Sequence, residues 1–128
     1  MNTRANSAIE FVQWPVHSPS ESTAINDKVL AIQTTCVSPT NTSGEDNSPY
    51  KNFNLGFHVG DCANKVEHNR QCLEKLLPSK TRIQWLEQVH GNAVAEISRV
   101  RKEPIIADAM VTREKNIALA IMTADCLP

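Results

Sequence analysis

Ile117-Ala118-Leu119-Ala120-Ile121-Met122-Thr123-Ala124-Asp125-Cys126-Leu127-Pro128 is the stretch on which the fold turns. Its apolar run predicts a strand over 117–123. Because Ile117 to Met122 are apolar at every position rather than at every second one, the strand is expected to be buried on both faces. A single sheet with one helix cannot provide that cover, so a further layer is required. The run also delivers a carboxylate, Asp125, and a thiol, Cys126, to the place where a rigid element gives out, where functional groups are commonly set.

Working outward, Arg113 to Asn116 is a charged turn, and Ile105 to Thr112 reads as one strand carrying Asp108 between Ala107 and Ala109. Ala93 to Ser98 alternates, and Arg82 to Val89 is apolar and ends at His90-Gly91. Only Gly91 and Asn92 separate these last two runs, a spacing that predicts a hairpin. Val66, Leu73 and Leu77 fall at helical spacing with Arg70 and Leu76 beside them. Asp61 or Asn64 is placed to cap that helix, and Pro78 ends it. Asn52 to Asp61, with Gly56 and Gly60, reads as a shaped loop. Lys28 to Val37 is rich in β-branched residues and predicts the first good strand, followed by a polar surface loop over Pro39 to Tyr50. Residues 1–27 are weakly patterned, with Phe11, Val12, Trp14 and Val16 suited to a short edge segment. One helix against five or six strands predicts an α+β fold.

The 128 residues suffice for one domain with a real core, and 41% hydrophobic with 21% charged residues is ordinary for a globular chain. The formal net charge of −1 provides no broad basic field for nucleic acid. Arg99, Arg101 and Lys102 read as a solvated turn. Met1 to Trp14 lacks an apolar core of the signal-peptide kind, and no uncharged apolar span reaches membrane length, so a cytoplasmic protein without a membrane partner is expected. Cys36, Cys62, Cys72 and Cys126 are too few and too scattered for a disulfide framework, and no Cys-x-x-Cys pair occurs.

His90 and Cys126 each end a predicted strand. Imidazole and thiolate are donors of borderline softness suited to zinc, although a lone His or Cys is equally a core or loop residue. Asp108 and Asp125 sit among small and apolar neighbours. A carboxylate there must be paired, hydrogen-bonded or bound to a metal, and in a cleft either can serve as a general base. Gln88, two residues before His90 on the predicted strand, is expected on the same face, placed to contact a ligand or orient the imidazole. Asn54 and His58 share the glycine-flanked loop and are candidates for substrate contact. Cys62 and Cys72 read as core filling.

Four stretches in this order carry a resemblance: Asn54-Leu55-Gly56-Phe57-His58-Val59-Gly60-Asp61, Val66-Glu67-His68-Asn69-Arg70, Trp85-Leu86-Glu87-Gln88-Val89-His90-Gly91 and Thr123-Ala124-Asp125-Cys126-Leu127-Pro128, with Ala107-Asp108-Ala109 between the last two. Together they closely resemble the laccase-domain family, long described as multicopper polyphenol oxidases and now regarded as zinc-dependent purine nucleoside enzymes. The resemblance spans roughly Val29 to Pro128. It implies the family's layered α/β/β/α arrangement, with residues 28–128 forming the N-terminal part of one catalytic domain. It implies phosphorolysis of adenosine, inosine, guanosine and methylthioadenosine, and hydrolytic deamination of adenosine. It makes purine nucleosides and phosphate the partners, with no oligomeric state assigned. It makes His90 and Cys126 two of three zinc ligands, with Asp108, Asp125 and Gln88 as catalytic candidates and Asn54 and His58 as substrate contacts.

The chain departs from the family pattern in two places. Cys36 stands where the family carries an arginine in a Thr-Arg-Gly-Gly-like stretch. The family's second metal histidine belongs to a His-Ala-Gly-Trp-Arg-Gly motif that this sequence lacks, and His17, His58 and His68 do not match it. The resemblance therefore implies a partial version of the domain. Two other functions follow from the same residues: a non-enzymatic remnant or binding module, and a copper-dependent polyphenol oxidase. Copper ranks below zinc, because copper oxidases use several histidines and only one of the four here, His90, lies in a metal-ligand motif of the family.

Overall fold

The computed structural model describes residues 8–12, 29–40 and 48–124. It divides into two compact units, Met1–Asn54 and Leu55–Pro128. The secondary structure is a mixed α+β set, one α-helix with several short strands, as the sequence predicts.

In the first unit β1 (Ile9–Phe11) pairs antiparallel with β2 (Ile32–Thr34), with Ile9 opposite Thr34 and Phe11 opposite Ile32. The Val12 and Thr35 N–H groups extend the ladder by donating to the Ala31 and Ala8 carbonyls, each at 2.9 Å. The expected strand over Lys28 to Val37 contracts to its middle. Thr35 Oγ1 accepts the Val37 N–H at 3.2 Å, a side-chain turn that bends the backbone off the ladder. Part of the polar loop after Pro39, residues 41–47, lies outside the described residues.

In the second unit helix α1 (Ala63–Leu76) buries Val66, Asn69, Cys72 and Leu73, one stripe at helical spacing. Pro78 follows closely, since it offers no N–H to continue the ladder. The expected cap takes another form. Cys62 occupies the N-cap position without a side-chain bond to the helix, and Asp61 Oδ1 accepts the Cys62 N–H at 2.7 Å instead. Asn64 lies inside the helix. Ahead of it Phe57–Val59 forms a single 3-10 turn, closed by Gly60 at φ 91°. A side chain at that angle is strained, so Gly60→Ala is expected to cost about 1 kcal/mol in a thermal melt.

Strand β3 (Arg82–Glu87) is the centre of this unit. It pairs in parallel with β5 (Ile105–Ile106) on one side and β7 (Ile117–Ala120) on the other. Ile83, Gln84, Trp85 and Leu86 are all buried, so β3 is covered on both faces. A separate parallel pair joins β4 (Val94–Glu96) to β6 (Ala109–Val111). The hairpin expected at Gly91-Asn92 does not form. β3 and β4 belong to different sheets, and the single strand expected over Ile105 to Thr112 is split at Ala107-Asp108, where the chain leaves the β3 sheet for the β4 pair.

The last strand also differs from expectation. β7 ends at Ala120, and its residues are half-buried with Leu119 exposed, because β3 is its only partner among the described strands. Asp125 to Pro128 lie outside the described residues.

Candidate functional site

The region around His90 is built where two chain crossings meet. β3 stops at Glu87, earlier than the sequence suggested, so Gln88 and His90 lie on a loop. Strand alternation therefore no longer places them on one face. His90 adopts a left-handed backbone at φ 59°, a conformation uncommon for a residue with a Cβ. Gln88 and His90 are both exposed.

Asp108 sits opposite this loop at the junction of β5 and β6. Its N–H donates to the Ala93 carbonyl at 2.9 Å, and its own carbonyl accepts from Gln88 Nε2 at 3.3 Å. Its Oδ1 accepts the Val89 N–H at 3.0 Å. The flanking alanines add the Ala107 N–H to the Glu87 carbonyl and the Ala109 N–H to the Ala93 carbonyl, each at 3.2 Å. Asp108 Oδ2 is buried and has no hydrogen-bond partner among the described residues. It faces Gly91, where an added Cβ would lie 2.9 Å away, closer than a real contact allows. The glycine here answers to this close approach of a side-chain oxygen, not to a hairpin.

A second cluster, which the sequence reading passed over, centres on Arg70. Its guanidinium carbon lies 3.7 Å from the centroid of the Trp85 ring and 4.4 Å from that of Phe57. Arg70 Nε donates to the Leu55 carbonyl at 2.7 Å, and Nη2 approaches Met122 Sδ at 3.8 Å. Burial pushes its pKa below the ordinary arginine value, and the charge of Glu67 pulls part of the way back. One side chain of α1 therefore ties the 55–57 loop, β3 and the segment after β7 together. The signal was present in sequence: an arginine at i+4 from Val66, within the buried stripe of a helix.

Asn54 belongs to the first unit, and His58 is exposed on the 3-10 turn of the second. Asp125 and Cys126 lie outside the described residues. Cys72 is buried, as expected for core filling, with its Sγ 3.5 Å from His68 Nε2, whereas Cys62 is exposed. Cys36, in the place of the family arginine, is also exposed.

A resident metal can be tested against these residues by donor chemistry. His90 and Cys126 are suited in kind to zinc. The described residues, which include His90 but not Cys126, contain no cluster of three or more His, Cys, Asp or Glu side chains able to hold an ion. No helix among the described residues is long and apolar enough to cross a membrane.

The family model for multi-copper polyphenol oxidoreductase laccases matches residues 35–128, and the chain belongs to that family. Its curated relatives carry a different kind of name. It is 38% identical over 93 residues to "Purine nucleoside phosphorylase Cgl2154/cg2365" of Corynebacterium glutamicum, covering 70% of this chain and 38% of that one. It is 43% identical over 95 residues to "Purine nucleoside phosphorylase PA4543" of Pseudomonas aeruginosa, covering 73% and 36%. It is 42% identical over 93 residues to "Purine nucleoside phosphorylase YfiH" of Escherichia coli, covering 71% and 37%. The chain thus spans less than two fifths of the length of these relatives. No solved structure matches it.

Proposed function

We propose that the chain is a portion of a purine nucleoside phosphorylase of the laccase-domain family, carrying part of its active site. The observation that supports this most is the family match over residues 35–128, together with relatives named as purine nucleoside phosphorylases. The proposed substrates are adenosine, inosine, guanosine and methylthioadenosine with phosphate, and adenosine with water in a deaminase reaction. A cytoplasmic setting suits such substrates.

In phosphorolysis a phosphate oxygen attacks C1′ of the ribose, the bond to the base nitrogen breaks, and the departing base takes up a proton. In deamination water adds to C6 of adenine and ammonia leaves. His90 and Cys126 would supply two of the protein ligands to zinc. When bound, the metal supplies Lewis acidity at a position left open to substrate or water. Gln88 has one N–H committed to the Asp108 carbonyl, which leaves its Oε1 and second N–H to orient a ligand. Asn54 and His58 are proposed substrate contacts, and Asp125 a proton carrier.

The test is purification, metal analysis, and an assay for adenine or hypoxanthine release from nucleosides with phosphate. The expected outcome is bound zinc and turnover, with His90→Ala lowering both by about 100-fold or more, since loss of even a supporting group at such sites costs 10–100-fold. A well-folded, metal-free and inactive chain would sink the enzymatic reading. It would favour the binding-module reading. Phenol oxidation dependent on added copper would instead support the copper oxidase.

A further inference from the structure

We propose that Asp108 is the positioning residue of the His90 loop and not a proton carrier. The inference rests on the reading of His90 as a site residue. Its structural part stands by itself.

Three polar atoms of Asp108 are already committed to residues 88–93. The backbone N–H holds Ala93, the carbonyl holds the Gln88 amide, and Oδ1 holds the Val89 N–H. These bonds fall on both sides of His90, the residue with the unfavourable left-handed backbone. A loop gripped before and after a strained residue keeps that residue in one conformation, as a site needs if its side chain is to arrive in a fixed place. The Val89 bond anchors the loop backbone to a side-chain oxygen at the junction of β5 and β6.

The remaining oxygen argues against proton transfer. A general base must lie within roughly 2.6–3.2 Å of the atom whose proton it takes, or reach it through one water. Asp108 Oδ2 is buried and looks at Gly91, with no room even for a methyl group between them. Nothing the size of a nucleoside can approach along that direction. The Gly91 hydrogen that stands in place of a Cβ faces this oxygen, a weak contact at most. Gly91 belongs to the same device, since any side chain there would push the carboxylate off the Val89 N–H.

Asp108→Asn and Asp108→Ala separate the two roles, because asparagine keeps an oxygen for the Val89 N–H and loses the titratable group. The first measurement is hydrogen exchange of the Val89 amide in the 128-residue chain. Asp108→Asn is expected to stay within about threefold of the parent, while Asp108→Ala and Gly91→Ala speed exchange by about tenfold or more. The second is zinc affinity by titration: Asp108→Ala is expected to weaken it about tenfold and Asp108→Asn to restore it. Unchanged Val89 exchange in Asp108→Ala overturns the proposal. So does an Asp108→Asn protein that keeps the Val89 bond and the zinc yet loses base release about 100-fold, the result of a proton carrier. Should the alanine variant fail to fold, the asparagine and Gly91→Ala proteins still decide. A parent chain that binds no zinc counts against the functional reading, and the Val89 exchange remains the measure of the bracket.

Discussion

Gln84→Leu is expected to lower the unfolding free energy of the second unit by about 3 kcal/mol, from the loss of bonds around a buried amide. Gln84 is fully buried in β3, an unusual place for an amide. Its Nε2 donates to the Trp85 carbonyl at 2.9 Å and to the Glu103 carbonyl at 3.4 Å, and its Oε1 accepts the Arg101 N–H at 2.7 Å. The side chain is therefore a peptide-like bridge from β3 to the 101–103 turn. Leucine is apolar and one heavy atom smaller, so the bonds go and a small void is left in their place. The carbonyls and N–H left behind then carry the desolvation cost themselves. Arg101 and Glu103 are exposed residues, so water can recover part of the loss. Urea denaturation with an unchanged m-value measures the effect, and a loss below about 1 kcal/mol would show that the amide contributes little beyond its volume. Gln84→Glu is expected to be worse, since it adds a buried charge and removes the donor.

Arg70→Ala should come close behind, at about 2–4 kcal/mol for two cation–π contacts and a charge-assisted hydrogen bond. The residue is half-buried, and the upper part of that range is reached only if water fails to fill the vacated space. Arg70→Lys separates the terms. Lysine keeps the charge and a flexible stem but cannot lie flat between Trp85 and Phe57 or donate from an Nε, so it is expected to recover less than half of the loss. Trp85 fluorescence should shift in both variants, because its ring loses the cation lying over its face. Unaltered emission together with unaltered stability would mean that the stack is incidental.

Much of the architecture is legible in the residues. The helix is announced by Val66 and Leu73 and ended by Pro78, and the balance of one helix against many strands fixes the α+β class. The pairing of the strands is not legible. Gly91-Asn92 has the spacing and composition of a hairpin, yet the glycine answers to the Asp108 carboxylate across from it. That requirement comes from a residue 17 positions away and leaves no trace in local pattern. Likewise Ile105 to Thr112 is continuous in hydrophobicity, and only the tertiary demand on Asp108 cuts it into strands of two sheets. The both-sided apolarity of Ile117 to Met122 predicts a buried strand, whereas β7 is half-buried in this chain. Pattern reports what a strand is suited to, not which partners surround it. At the candidate site, the hydrogen bonds from Gln88 and Val89 to Asp108 join positions about 20 residues apart, which no local pattern announces. The division of labour among the atoms of Asp108 could be seen only with the loop in place.

The parallel pairing of β3 also sets an order of events as the polypeptide is made. Arg82 pairs with Ile117, 35 positions later, and Leu86 with Ile105, 19 positions later. Antiparallel neighbours can close through a short turn as soon as they emerge, but β3 must wait for long loops to close around it. Until Ile117 to Ala120 leaves the ribosome, its Trp85 and Leu86 have no complete sheet to belong to. Helix α1, complete by Leu76 and built from local contacts, is the earliest part able to form, and Arg70 gives it a ready surface on which Trp85 can settle. Among the described strands β7 is thus the one that completes the pairing of β3, and folding of this unit is expected to be slow by the standard of helical proteins of its size.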